Sequence, residues 1–256
     1  MTQSLTGKKG LVVGIANEHS IAWGCAKAFH DAGAELAVTY LNDKAKPYVT
    51  PLAKQLEAPI VLPLDVQDDA QMEALFTAIK TKWGRLDFLH HAIAFAPKQD
   101  LQGRFVDVSR VGFLEAMDIS CYSFIRLAHL AEPLMKDGGC LLTTTYYGGE
   151  EVIPSYGLMG PVKSALEGTV KYLAAELGKK NIRVNALSPG PIATRAAGGI
   201  AGFDELLKTA RAKSPLCEAI SIDSVGAYAR FLVSDEARLV TGSIAYIDAG
   251  YNIVGG

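Results

Sequence analysis

The chain has 256 residues, 49% of them hydrophobic and 20% charged, which suits one α/β domain with a large core. Its 25 basic and 27 acidic side chains give a net charge of −2. That balance excludes the basic footprint of a nucleic-acid binder or of a protein held on an anionic membrane.

At the start, MTQSLTGKKG lacks the apolar stretch of a signal peptide, and no apolar run is long enough to cross a bilayer, so a cytoplasmic protein is expected. KGLVVG then reads as a strand, SIAWGCAKAFHDAG as a helix and ELAVTY as a second strand. An amphipathic stretch from Asp43 leads to a third strand, PIVLPLD. DDAQMEALFTAIKTKWG, RLDFLHHAIA, a long helical region from Gly112 to Lys136 and GGCLLTTTYYG continue the alternation. A helix around Lys163, then NIRVNALSPG and SIAYIDAG, complete it. Alternation of this kind predicts a doubly wound parallel sheet, an α/β fold of Rossmann-like type. The strands are nearly continuous apolar runs, as expected where helices cover both faces. No repeat or linker divides residues 1–256, so a single domain is expected.

The four cysteines, Cys25, Cys121, Cys140 and Cys217, form no CxxC and suit reduced thiols. The histidines form no HxxxH or HExxH, and the adjacent His90 and His91 point to opposite faces of a strand. No metal site is expected.

Ligands of such sheets bind outside the carboxyl ends of the strands. Chemistry is therefore sought at Gly14, Tyr40, Asp65, residues 92–97, residues 145–148 and from Ser188 onward. In GIANEHSIAWGCA, Gly14 permits a tight turn and Ser20 can cap a helix whose N–H groups and dipole suit a pyrophosphate. This is not GxGxxG, and a glycine turn with an ordinary serine cap accounts for the piece equally well. After the second strand come Tyr40, Leu41 and Asn42 with no arginine to receive a 2'-phosphate, although Lys44 and Lys46 are near. NADH is thus favoured over NADPH. Asp65 and Val66 can take the adenine amine and flank its ring, while a helix cap is the competing reading of Asp65.

The densest cluster is TTTYYGGEEVIPSYGLMGPVK, residues 143–163. A tyrosine four before Lys163 would share its helix face, but that position is Met159. At GxxxxxSIAxG, LDV, HAIAFAP, Tyr-x9-Tyr-x6-Lys and SPGPIAT, the chain resembles the short-chain dehydrogenase/reductase superfamily. More narrowly, from about Leu5 to Ile253, it resembles the bacterial NADH-dependent enoyl-acyl-carrier-protein reductases. Alcohol-forming members of the superfamily carry Ser-x12-Tyr-x3-Lys, which would place Met159 at the tyrosine and Tyr146 at the serine. The enoyl reductases carry the tyrosine three residues earlier. The resemblance thus implies Tyr156 as catalytic hydroxyl, Lys163 on the nicotinamide ribose and Tyr146 as a second active-site tyrosine, with Tyr147 left as packing.

The same resemblance adds Ile21, Leu41 and Ile93 to Gly14, Ser20, Asp65 and Val66 as cofactor contacts, and Ala96 as a substrate contact. In SPGPIATRAAGG it implies Ile192 for the carboxamide and Thr194 for the pyrophosphate, with Ala193, Arg195 and Ala196 in the same wall. Ala94 departs from the family's usual glycine, which narrows the space beside the nicotinamide. Residues of about 191–213 are expected to cover the acyl chain. The resemblance implies an acyl carrier protein as partner and a homotetramer, for which Gly112 to Lys136 offers an interface or simply core. Arg195, Lys208, Arg211 and Lys213 could meet an acidic carrier, but Asp204 and Glu205 intervene, and a solvated helix face is the plainer account.

The spacing has a chemical reason. Ketone reduction leaves charge on the oxygen of the carbon that receives hydride. Reduction of a 2-enoyl thioester at C3 moves the charge to the thioester oxygen, two bonds further away, so the hydroxyl that meets it must also move. Seven residues of regular helix would put Tyr156 about 10 Å from Lys163 along the axis, against about 6 Å for four. Pro161 predicts that regular helix begins close by, leaving Tyr156 at its entrance. Two other readings stay open here, a ketone-reducing member of the superfamily and a catalytically inactive NAD(H)-sensing protein.

Overall fold

The computed structural model describes residues 4–154, 156–194, 197–199 and 202–254. Seven parallel strands form one sheet: β1 (Lys9–Val13), β2 (Glu35–Tyr40), β3 (Ile60–Pro63), β4 (Phe88–His91), β5 (Gly139–Thr144), β6 (Ile182–Pro189) and β7 (Ile244–Ile247). The order is β3-β2-β1-β4-β5-β6-β7, so the winding reverses between β1 and β4, where a crevice opens at the carboxyl ends. The doubly wound parallel fold expected from the alternation is present.

Adjacent residues of each strand feed opposite cores. On β1, Val12 joins Leu36, Val38, Phe88 and Leu142 on one face, while Leu11 and Val13 join Leu89, Leu141 and Val184 on the other. The first core is closed by α1 (Ile21–Asp31), α2 (Lys46–Gln55) and α9 (Ile222–Val233). The helices α3 (Asp69–Trp83), α6 (Ser123–Ala131) and α7 (Met159–Leu177) close the second. The short α4 (Lys98–Leu101), α5 (Arg110–Met117) and α8 (Phe203–Lys213) lie toward the carboxyl edge of the sheet. A third, smaller cluster there joins Tyr156, Met159 and Val162 to Ala96, Leu101, Tyr146 and Leu206.

Three local expectations change. Asp68, not Asp65, caps α3 by accepting from Ala70 N (2.9 Å) and Gln71 N (3.1 Å). Ser20 occupies the position before α1, but its hydroxyl donates to the Asn17 carbonyl (2.6 Å) and makes no cap bond. The helical region starts at Arg110, not Gly112, because Ser109 accepts from Gly112 N, and a π-helical turn at Asp118–Tyr122 interrupts it. In addition, α9 was not anticipated. It packs closely on α1 where Gly24 and Gly226 let the two backbones approach.

Candidate active site

The expected residues lie along the carboxyl edge. At the end of β1, Gly14 has φ +111°, and a Cβ there would sit 2.2 Å from the Ala92 carbonyl oxygen. Only glycine lets β1 turn into α1 beside the end of β4. Ser20 and Ile21 follow at the α1 N-terminus, whose first turn has no side-chain acceptor because Ser20 bonds back to Asn17. A helix start without that cap suits a phosphate oxygen.

Leu41, just past β2, is exposed, and Lys46 lies over the Tyr40 ring at 5.6 Å. Past β3, the Asp65 carboxylate accepts from Gln67 N (3.0 Å), and Val66 is half-buried against the second core. Ile93 and Ala96 follow β4, with the exposed Ala94 between them. After β6, Ile192 packs on the first core, Ala193 is exposed, and Thr194 Oγ1 accepts from Ala197 N (3.2 Å). Arg195 and Ala196 lie outside the described residues.

The strand-to-helix segment from 144 to 163 carries the candidate reacting groups. Met159 is the first residue of α7, and its N–H donates to the Tyr156 carbonyl (3.1 Å), so Tyr156 stands at the helix entrance. Tyr146 extends from β5 and meets Tyr156 edge to face, with ring centroids 4.9 Å apart. Tyr147 faces elsewhere, against Tyr246 and Tyr251. Burial holds both phenols protonated, raising Tyr146 and Tyr156 above the ordinary tyrosine range. The Tyr146 hydroxyl is buried and has no hydrogen-bond partner among the described residues. A buried donor left so costs about 1–3 kcal/mol, which a ligand oxygen can recover.

Lys163 is 4% exposed, and its ammonium donates to the Thr144 carbonyl (2.8 Å). Burial lowers its pKa to about 8, opposed by the nearby Glu167 and Cys121. Its remaining N–H donors have no partner among the described residues, so they are available to sugar hydroxyls. A glycine crevice, an uncapped helix start, a buried ammonium with spare donors and an orphan phenol together fit a dinucleotide and an oxygen-bearing substrate.

Sequence reading missed Ser120 and Glu167, and it named Thr145 only as part of a strand end. The Ser120 hydroxyl, brought inward on the π turn, accepts from Phe95 N (2.9 Å) and donates to Phe95 O (3.0 Å). It thereby clamps the loop that carries Ile93 and Ala96. Thr145 donates to Glu167 (2.6 Å), a buried carboxylate one turn beyond Lys163. The only sequence signal for Glu167 was its four-residue spacing from Lys163 on a helix face.

The family model described as Enoyl-(Acyl carrier protein) reductase matches residues 14–252. An NADH-dependent enoyl-acyl-carrier-protein reductase of Rhizobium meliloti is 49% identical over 251 residues, covering 98% of this chain and 92% of the relative. The NADH-dependent enzyme FabI of Synechocystis sp. is 49% identical over 254 residues, covering 98% of each chain. The crystal structure of the corresponding reductase of Anaplasma phagocytophilum in complex with NAD is 48% identical, with a TM-score of 0.95 over 98% of this chain and 96% of that one.

Proposed function

The chain belongs to the enoyl-acyl-carrier-protein reductase family, and from that premise we propose how its site works. It is an oxidoreductase of fatty-acid synthesis that uses NADH to reduce the double bond of a trans-2-enoyl thioester carried on acyl carrier protein. The observation that carries the residue assignment is the helix entrance. Met159 fills the helical position one turn before Lys163, and the hydroxyl-bearing Tyr156 stands before the helix beside Tyr146.

In this reading the Gly14 turn, Ser20, Ile21 and Thr194 hold the pyrophosphate side of the dinucleotide, with Ala193, Arg195 and Ala196 in the same wall. Leu41, Asp65 and Val66 hold the adenosine end. Ile93 and Ile192 border the nicotinamide, and Lys163 donates to the ribose hydroxyls. Bound there, NADH supplies the hydride for C3 of the substrate. Tyr156 donates a hydrogen bond to the thioester oxygen as enolate charge grows, which is where a preorganised donor lowers the barrier most. Tyr146 packs against the Tyr156 ring and offers its own unpartnered hydroxyl, while the Ala96 backbone borders the acyl thioester. The Lys163 ammonium adds a positive field.

The whole chain acts as one cofactor-binding and catalytic unit, with residues 191–213 covering the acyl chain. Leu206 of α8, which packs in the cluster of Tyr156 and Ala96, supports that covering role. Four free cysteines support a cytoplasmic setting, and no helix among the described residues is long and apolar enough to cross a membrane. We further propose a homotetramer. The test of the reaction is paired: purified protein should consume NADH with a trans-2-enoyl thioester, and consumption with a 3-ketoacyl thioester alone rejects the assignment.

A further inference from the structure

We propose that Glu167 is a positioning residue, which fixes the strand end carrying Tyr146 through Thr145 and keeps Lys163 in its charged form. The proposal rests on the roles given above to Tyr146 and Lys163.

Three bonds join residues 144–149 to α7. Lys163 donates to the Thr144 carbonyl (2.8 Å), Thr145 donates to Glu167 (2.6 Å), and the Ser164 hydroxyl donates to the Gly149 carbonyl. Lys163 and Glu167 are one helical turn apart and are 4% and 6% exposed. Consecutive threonines at the end of β5 therefore grip consecutive turns of α7, and Tyr146 is the next residue along. Gly149 presses on the same carboxylate, since a Cβ there would lie 2.7 Å from Glu167 Oε1. A buried carboxylate with one hydrogen-bonded partner is costly to keep unless its charge has a second use. Here that use is the buried ammonium on its own helix.

Other titratable groups surround the pair. Cys121 faces Lys163 from the π turn, and His91 faces it from β4. The His91 imidazole, bonded to Thr143 (2.8 Å) and Ser123 (2.9 Å), is kept neutral by burial first and by Lys163 second. Burial raises the Glu167 carboxyl above its ordinary range, the Thr145 bond, Lys163 and Lys171 oppose that, Glu150 adds to it, and the Tyr156 and Tyr246 phenols also face it. The Glu167 carboxylate is thus the acidic side chain facing Lys163 that favours its ammonium over the free amine.

Glu167→Gln keeps an oxygen that can accept from Thr145 but removes the charge. The alkaline limb of its kcat/KM profile should move to lower pH by about one unit, with melting temperature close to wild type. Glu167→Asp, which keeps the charge, should hold the limb nearer its original position. An unmoved limb in Glu167→Gln, or the same shift in Glu167→Asp, overturns the charge role. Lys163→Arg separates this from the underlying reading, because a guanidinium does not titrate in this range and the limb should vanish. A limb that survives Lys163→Arg overturns the assignment of Lys163 and the charge role of Glu167 with it. Thr145→Val tests the other half even if Glu167→Gln does not fold. Turnover should fall about tenfold with NADH affinity retained, as expected for a displaced Tyr146, and wild-type turnover overturns the positioning role.

Discussion

In the proposed mechanism two tyrosines and a lysine divide the work, and each division can be measured. Tyr156→Phe removes the donor that meets the growing charge, so kcat should drop by about 10²–10³ while the NADH dissociation constant changes little. An unchanged rate would remove Tyr156 from the mechanism. Lys163 is proposed to work as a cation, and burial has brought its pKa down to about 8. Activity should therefore fall as pH rises through about 8, when the ammonium loses its proton. Stability moves the other way for this group. Its folded pKa lies below the ordinary lysine value of 10.5, so the unfolded chain binds more protons between the two, and the cost of burying the charge is relieved as pH rises across that window. Denaturation of wild type and Lys163→Met at matched pH values should show their difference narrowing toward alkaline pH. Gly148 lies flat against Tyr156, and a Cβ there would come within 2.5 Å of the ring carbon Cδ1. Gly148→Ala should displace the ring, costing about 1–3 kcal/mol of stability and a larger share of kcat, as read by denaturation and turnover together.

At the scale of elements, the strands were legible because burial on both faces writes itself as unbroken apolar runs. The placing of Tyr156 at the entrance of the Lys163 helix was legible because both lie within one strand-to-helix segment, where spacing still carries geometry. The wall proposed from Ile93, Ile192 and Thr194 draws on separate strand ends, so only the resemblance could suggest it. Asp65 and Asp68 both carry a carboxylate just before α3, and residue type alone could not say which would cap it. The π turn at Asp118–Tyr122 was invisible because an extra residue in one turn leaves the local composition helical. Yet that turn directs Ser120 at Phe95. Ser120→Ala should loosen the Ala96 loop and raise KM for the enoyl thioester several-fold, with only about 1–2 kcal/mol lost in stability. A loss of kcat with KM unchanged would place its effect elsewhere. The missed α9 did carry a signal, since Ser221 caps it and Val225, Ala229, Leu232 and Val233 recur at helical spacing; only its close approach to α1 at Gly24 and Gly226 leaves no hydrophobic trace.

Across the whole molecule, exposed apolar side chains gather on the 105–122 stretch. Val106 and Val111 are 74% and 75% exposed, with Leu114 and Tyr122 nearby in sequence. Such a stretch supports the proposed self-association, and light scattering should return the mass of four 27.3 kDa chains, whereas a monomer mass would reject it. The position of β1 governs a different property, the order in which the protein can be built. Residues 9–13 pair with β2 on one side and with β4 on the other. During synthesis, the chain through β3 can assemble as a three-stranded piece whose inner edge stays open until β4 emerges. That edge is the aggregation hazard of the nascent protein. Losing β1 would part the sheet through its middle, where losing β7 would only trim its rim.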